Sequence, residues 1–178
     1  MPRITISGHP GSGTSTLVSK LSEKYQWTTI NGGQVFRDEA SRRGLSLSDF
    51  GKLCSKDEAV DRELDNTLKT IIQENVIDIV ESRLAGWWAY RLDSKCIRLW
   101  LQVSDEERAN RVSSRENITF DLAFKENYER TNRDSKRYMK MYGIDPEQPE
   151  PYTHVVDATE IGTDEVFSRV VEILEASN

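Results

Sequence analysis

A short apolar strand, a glycine-rich loop and a helix open this chain, and their order constrains the fold more than any other feature. Residues 3–7 (RITIS) are typical of a buried strand, and residues 8–15 (GHPGSGTS) lead from it into an amphipathic helix. Because Gly8, Gly11 and Gly13 can adopt positive φ, we expect backbone N–H groups to turn inward at the helix N-terminus and form an anion site. The loop is predicted to bind the phosphates of ATP through Gly8, His9, Pro10, Gly11, Ser12, Gly13, Thr14, Ser15 and Thr16.

Two hydroxyl residues of this loop bear on its chemistry. Ser15 stands where the hydroxyl of a phosphate-binding loop ligates Mg²⁺, which favours a phosphate site over a glycine turn that only packs a strand against a helix. Thr14 stands where the consensus has lysine, and a hydroxyl cannot supply the charge that reaches the β- and γ-phosphates. We therefore expect arginines from elsewhere in the chain to supply that charge.

Size and charge exclude several classes of protein. A chain of 178 residues predicts one domain with a substantial core, and a net charge of −6 argues against a nucleic-acid binder, which needs clustered positive charge. No segment approaches the about 18 apolar residues of a membrane span, and Met1 leads into the first strand without a signal peptide. We expect a cytoplasmic protein that binds no membrane, with Cys54 and Cys96 reduced rather than bound to zinc or paired.

Predicted strands alternate with predicted helices along the chain. The alternation is typical of an α/β fold with a parallel central sheet between two layers of helices, in which ligands bind at the carboxyl ends of the strands. The strands are predicted at residues 3–7, 27–30, 76–80, 96–103 and 154–157.

Capping residues mark several helix boundaries. Ser46 is predicted to cap a short helix, Ser104 and Glu107 to form a capping box, and Thr163 to cap the last helix. A long helix from about Asp121 is predicted to end before Gly143.

Two helices carry arginines at positions i, i+3 and i+7, so that each presents its guanidinium groups from nearly one face. Together the two rows predict a cationic lid over a polyphosphate, in which Asp134 lies one turn from Arg130. The alternative is a solvated helix face with weak ion pairs such as Glu107 with Arg111. The rows consist of Arg108, Arg111 and Arg115, and of Arg130, Arg133 and Arg137.

A further group of charged residues follows the second and third predicted strands. Arg37 and Arg83 are expected at the carboxyl edge of the sheet, where their planar guanidinium groups can grip a second phosphate. Glu81 is placed to orient Mg²⁺ together with Ser15, or alternatively to pair only with Arg83.

The aromatic patch formed by Trp87, Trp88 and Tyr90 has two readings. The rings can stack on a base, or they can pack a helix into the core, and packing is favoured because aromatic side chains at helix starts usually bury.

These segments together resemble the nucleoside monophosphate kinase superfamily, and within it the short archaeal type of cytidylate kinase. The resemblance spans nearly the whole chain. It implies a three-layer α/β/α fold of the P-loop NTPase type in one domain over residues 1–178, with a monophosphate-binding segment at about 31–75 and a lid at about 104–143. It rests on GHPGSGTS, NGGQVFRDEASRRGLSLSDFG, DRELD, VESRLAGWW, SDEERANR, ERTNRDSKRYMKMYGID and VVDAT in this order.

The resemblance also implies an activity. A monomeric enzyme transfers the γ-phosphoryl group of ATP to CMP, and to dCMP, with Mg²⁺, and binds these nucleotides as its partners. Two alternatives stay open: the same scaffold acting on AMP, UMP or a small metabolite, and a nucleotide-binding regulator without catalysis.

Roles for individual residues follow from the same resemblance. Arg37 and Arg83 hold the phosphate of the acceptor, while Asp134 or a neighbouring Arg–Asp pair recognises the cytosine amine. The acceptor site is completed by Arg130 and Arg137. The residues expected to act on the transferring phosphoryl group are Arg108, Arg133, Thr14 and Ser15.

Overall fold

Five strands form the central sheet in the computed structural model, which describes residues 2–177 and all of their side chains except those of Leu47, Ser48 and Ser55. The strands are Ile4–Gly8 (β1), Thr29–Asn31 (β2), Ile79–Glu81 (β3), Ile97–Gln102 (β4) and His154–Asp157 (β5). They follow the order β2-β3-β1-β4-β5 across the sheet, and every neighbouring pair is parallel, as predicted.

Eight helices connect and cover these strands within residues 2–177. None of them combines the length and the apolar character that crossing a membrane requires. Their bounds are Thr14–Tyr25 (α1), Gly32–Arg42 (α2), Leu47–Lys56 (α3), Glu58–Glu74 (α4), Ala85–Arg91 (α5), Asp105–Glu116 (α6), Phe120–Tyr142 (α7) and Thr163–Ala176 (α8).

Apolar side chains fill the space on both faces of the sheet. Ile4 and Ile6 of β1 face α1 and α8, where Leu21 and Val170 are fully buried beside them. Val80 of β3 belongs to the second cluster, which α4, α5 and α7 cover. Helices on both faces of a parallel sheet confirm the predicted three-layer α/β/α architecture.

Two of the three aromatic side chains of the patch and both cysteines are buried. Trp87 and Trp88 are buried in the second cluster, whereas Tyr90 is partly exposed and donates a hydrogen bond to a surface glutamate. Cys54 and Cys96 are free and buried. The packing interpretation is therefore confirmed for Trp87 and Trp88, whereas Tyr90 lies at the surface.

The predicted strand at 76–80 is wrong in its position. Val76 is 62% exposed, and the chain pairs with β1 only over Ile79–Glu81. Before that point the carboxylate of Asp78 accepts hydrogen bonds from the backbone and side chain of the residue that precedes β2. The apolar run therefore includes irregular chain as well as a strand, and apolar content alone does not distinguish the two.

The predicted helix boundaries hold at two positions and fail at a third. The hydroxyl of Ser46 accepts a hydrogen bond from the N–H of Asp49 at the start of α3, and α7 ends at Gly143 with φ +62. The last helix begins differently, because Gly162 is its N-cap and no side chain caps it. Thr163 is the first residue inside that helix rather than its cap.

Only half of the predicted capping box forms at α6. The hydroxyl of Ser104 accepts from the N–H of Glu107 at 3.2 Å, as expected. The Glu107 carboxylate binds Arg111 instead of returning to the cap, and the Ser104 N–H donates to the hydroxyl of Thr159. Both the hydroxyl and the N–H of Ser104 are therefore hydrogen-bonded, but the partner of the N–H comes from a distant loop.

Gly86 lies where α5 crosses β1, and we expect substitution there to destabilise the fold. A Cβ atom at Gly86 would lie 2.9 Å from Cδ1 of Tyr152 and closer still to Cε1. Gly86→Ala should lower the free energy of unfolding by about 1–3 kcal/mol, the range typical of an overpacked core, as measured by urea denaturation.

The matched control is Gly51→Ala inside α3, where a Cβ atom meets no described atom within 4 Å. There the higher helix propensity of alanine should leave stability unchanged or raise it by about 1 kcal/mol. Equal effects of the two substitutions would contradict the close approach at Gly86.

Candidate active site

The loop between β1 and α1 has the backbone of an anion site. Gly11 and Gly13 have φ of +85° and +91°, which side chains rarely tolerate, and no side chain caps the N-terminus of α1. Gly8 corrects our expectation, because it ends β1 without a positive φ. Glycine is needed there for space, since a Cβ atom would lie 3.0 Å both from the Leu101 carbonyl oxygen and from Thr14 Cγ2.

Two arginines of α6 hold this loop from behind. Arg108, only 2% exposed, donates to the carbonyl of Pro10 at 3.0 Å and pairs with Asp105. Arg111 donates to the carbonyl of Ser12 at 3.0 Å. In this conformation the carbonyl of Pro10 and the carboxylate of Asp105 occupy the guanidinium group of Arg108, and its action on the transferring phosphoryl group stays a prediction.

His9 joins the same loop to the segment before β5. It is buried, its ring meets Trp100 edge-on with centroids 5.1 Å apart, and Nε2 lies 2.6 Å from the carboxylate of Glu147. Burial lowers the pKa of His9. The side chain of Ser12 is likewise buried, so neither residue offers phosphate a fully exposed side chain.

Glu81 lies at the centre of a set of neutral donors. Its Oε1 accepts hydrogen bonds from the hydroxyls of Thr14 at 2.6 Å and Ser15 at 2.9 Å, and its Oε2 accepts from Asn31 at 2.6 Å. The alternative that Glu81 pairs only with Arg83 is wrong, because Arg83 pairs with a different carboxylate. A hydroxyl and a carboxylate oxygen at hydrogen-bond distance fit the oxygen donors that Mg²⁺ prefers.

A cavity of about 410 Å³ opens over this loop. Glu81 lines it, as do Asn31 from β2 and Arg115 and Asn127 from α6 and α7. The predicted loop residues that line it are Gly8, His9, Pro10, Gly11, Gly13, Thr14, Ser15 and Thr16.

A second cavity of about 890 Å³ adjoins the first, and side chains from α2, α3, α4 and α7 surround it. All five residues predicted for the acceptor site line it, together with Arg133. The two cavities have five lining residues in common, which are Gly33, Arg37, Ser82, Arg83 and Arg130.

The arginines around the second cavity fall into two groups. Arg83 pairs with Asp134 at 3.1 Å, and Arg137 pairs with Asp61 at 3.1 Å. The others, which are Arg37, Arg130 and Arg133, form no ion pair with any carboxylate of the described residues. These three side chains therefore present positive charge that an anionic ligand can neutralise.

Carboxylates gather at the inner end of this cavity. Asp134 lies between Arg83 and Arg137, as its place in the arginine row suggested. Asp61 and Asp65 of α4 also line the cavity, and burial raises the pKa of each above its ordinary value. No role was predicted for this pair, although their i, i+4 spacing places them on one helix face.

Comparison with known proteins agrees with this arrangement. Residues 3–160 match the model of the cytidylate kinase-like family. A cytidylate kinase of Methanocorpusculum labreanum is 39% identical over 168 residues, covering 94% of this chain and 93% of its own. A cytidylate kinase of Pyrococcus furiosus is 38% identical over 168 residues, covering 94% of this chain and 85% of its own.

A solved structure supports the fold independently. Shikimate kinase from Bacteroides thetaiotaomicron aligns with a TM-score of 0.62 and 15% identity, covering 98% of each chain. The phosphate-binding loop, the parallel sheet and the match over most of the sequence lead to one assignment. The chain belongs to the cytidylate kinase-like family.

Proposed function

We propose that this protein transfers the γ-phosphoryl group of ATP to CMP, giving CDP and ADP, and that it also accepts dCMP. The observation that carries the proposal is the junction of the two cavities, where Arg37, Arg83 and Arg130 line both. A donor phosphate on the loop and an acceptor phosphate in the second cavity meet at these cations. The cytidylate kinases of similar sequence support the choice of acceptor.

The donor site uses the loop backbone and two oxygen ligands. Backbone N–H groups between Gly8 and Thr16 hold the phosphates of ATP, with the N-terminus of α1 behind them. We propose that Ser15 and Glu81 hold a magnesium ion. When bound, the ion neutralises charge on the phosphate oxygens.

The acceptor needs orientation rather than activation. A phosphate oxygen of CMP is already nucleophilic, so no general base is required, and alignment with the γ-phosphate lowers the barrier. Arg37 and Arg83 hold the acceptor phosphate, and Arg130 and Arg133 approach from α7 to stabilise the charge that spreads over the transferring group.

Arginines elsewhere in the chain supply the positive charge that a lysine at position 14 would contribute. Arg115 of α6 lines the donor cavity, pairs with the neighbouring Glu116 at 2.7 Å and is 65% exposed, so its side chain can turn from this surface pair to ATP. The hydroxyl of Thr14 binds Glu81 and supplies no positive charge. Affinity for ATP therefore depends on α6 and α7, which form the lid in this proposal.

Selection of cytosine uses the carboxylates of the second cavity. The exocyclic amine of cytosine is a donor, and uracil has a carbonyl at the same place. Asp134 accepts from that amine, while the neighbouring arginines donate to the ring acceptors. One chain supplies every residue used here, so we propose that a monomer is sufficient and that it acts on cytoplasmic nucleotides.

An assay of ADP release across acceptors tests this function. With magnesium and ATP, CMP and dCMP should give rapid turnover, while UMP and AMP should give kcat/KM values lower by about 100-fold, as expected when a buried hydrogen bond is lost. Turnover with AMP but not CMP would overturn the acceptor assignment. ATP binding without ADP release for any of the four would indicate a regulator instead.

Arg83→Ala should impair use of the acceptor more than binding of ATP. Removing a guanidinium group that holds the acceptor phosphate is expected to lower kcat/KM for CMP by about 100-fold, while the Kd for ATP changes by less than about threefold. Steady-state kinetics and calorimetry measure the two quantities. Equal losses in both would argue against this role.

Arg115→Ala should have the opposite effect. Because the loop lacks its lysine, loss of this cation should weaken ATP binding by about tenfold and change the KM for CMP much less. Arg169→Ala on α8 is the control for both variants, because Arg169 pairs only with Glu165 among the described carboxylates and lies outside both cavities. A normal ATP affinity in Arg115→Ala would show that another group supplies the charge.

A further inference from the structure

Asn31 uses both ends of its side-chain amide between the two cavities. It is the last residue of β2 and the N-cap of α2, where its Oδ1 accepts a hydrogen bond from the N–H of Gln34 at 3.1 Å. Its Nδ2 donates to Oε2 of Glu81 at 2.6 Å. A carboxylate only accepts and a backbone N–H only donates, so these two partners fix the orientation of the amide.

Asn31 holds the side of Glu81 that faces away from the phosphate-binding loop. The hydroxyls of Thr14 and Ser15 both bind Oε1, and Asn31 binds Oε2. No cation of the described residues pairs with this carboxylate. Neutral donors therefore orient Glu81 without neutralising its charge, which stays available to a bound cation.

Two glycines allow this contact. A Cβ atom at Gly33 would lie 2.9 Å from Oδ1 of Asn31, and one at Gly32 would lie 2.8 Å from Cβ of Ser82. The first turn of α2 thus approaches the end of β3 more closely than larger residues permit. This space requirement accounts for the Gly32–Gly33 pair.

We propose that Asn31 is a positioning residue that fixes the Glu81 carboxylate relative to α2. The same helix carries Arg37, which lines both cavities. One amide therefore joins the donor loop, through Glu81, to the helix that presents a cation to the acceptor. The inference rests on the proposed phosphoryl transfer and adds to it a residue that aligns the two substrates.

A role in helix capping alone makes a different prediction. Asparagine, aspartate and serine are nearly equivalent N-caps, so a pure cap tolerates exchange among them. Asn31→Ser keeps a cap acceptor and replaces the amide donor to Glu81 with a hydroxyl on a shorter side chain. Asn31→Asp keeps the shape and the cap, but it turns a carboxylate oxygen toward the carboxylate of Glu81.

The first experiment compares these two variants with the wild type. All three should be folded in the assay buffer, and urea titration should give the lowest midpoint for Asn31→Asp, where two carboxylates meet. On the folded protein, kcat should fall by about 10-fold in Asn31→Ser and about 100-fold in Asn31→Asp, with the KM for CMP within about threefold. The control is Asp57→Asn at the N-cap of α4, which makes a similar exchange at a cap that binds Ala59. Its kcat should equal that of the wild type.

The second experiment asks whether Asn31 acts through Glu81. Calorimetry measures the Kd of a non-hydrolysable ATP analogue with magnesium in the wild type, Asn31→Ser, Glu81→Gln and the double variant. Asn31→Ser should weaken binding by about fivefold in the wild-type background and not at all beside Glu81→Gln, because the two residues form one unit.

The outcomes separate the proposals. Wild-type kcat in both Asn31 variants would reduce Asn31 to a helix cap. An undiminished effect of Asn31→Ser beside Glu81→Gln would show that Asn31 does not act through Glu81 and would overturn the proposal. The binding cycle needs no acceptor, so it tests Asn31 even where CMP is not phosphorylated. Absence of turnover with CMP in the wild type rejects the proposed function alone.

Discussion

The parallel pairing of β1, β3 and β2 is the constraint on which the rest of the site depends. Parallel strands end at the same edge of a sheet, and the register places Glu81 opposite both Ile6 and Asn31. The ends of these three strands are therefore neighbours. They carry the phosphate-binding loop after β1, the Glu81 carboxylate on β3 and the first turn of α2 after β2. Short hydrogen bonds between side chains then join the three segments directly.

The arginines of this acidic protein fall into two groups, one that binds backbone carbonyls and one that lines the second cavity. Arg108 and Arg111 donate hydrogen bonds to backbone carbonyls, and these contacts fix the shape of the loop between β1 and α1. Arg37, Arg130 and Arg133 line the second cavity and pair with no carboxylate of the described residues, although Arg37 also donates to the side chain of Gln34. A net charge of −6 is compatible with anion binding because the cations that matter are gathered at one junction.

Much of this arrangement could be predicted from local patterns. Strand, glycine loop and helix occur in one continuous segment, and the arginines that line the second cavity follow strand ends or share a helix face. Spacing shows which face of a helix a side chain occupies, but not what covers that face. The burial of Arg108 could therefore not be predicted from the spacing of the arginines.

Contacts between segments far apart in the chain could not be predicted from local patterns either. The donors to Glu81 come from positions 50 and more than 60 residues away in the chain, and the N–H of Ser104 finds its acceptor across a loop. In the same way, the run at 76–80 contains enough apolar residues for a strand, yet pairing with β1 decides which of them belong to it. Such features depend on tertiary packing rather than on local propensity.

The contacts between α6 and the loop also bear on how the helical hairpin formed by α6 and α7 can move. A swing of the whole hairpin would break the hydrogen bonds of Arg108 and Arg111 to the carbonyls of Pro10, Ser12 and Ala158, and the donor cradle would lose its shape as it opened. Bending confined to the tip, around the turn at 117–119, leaves those bonds intact. These hydrogen bonds tie the base of the hairpin to the loop, so a motion that preserves them is limited to the tip.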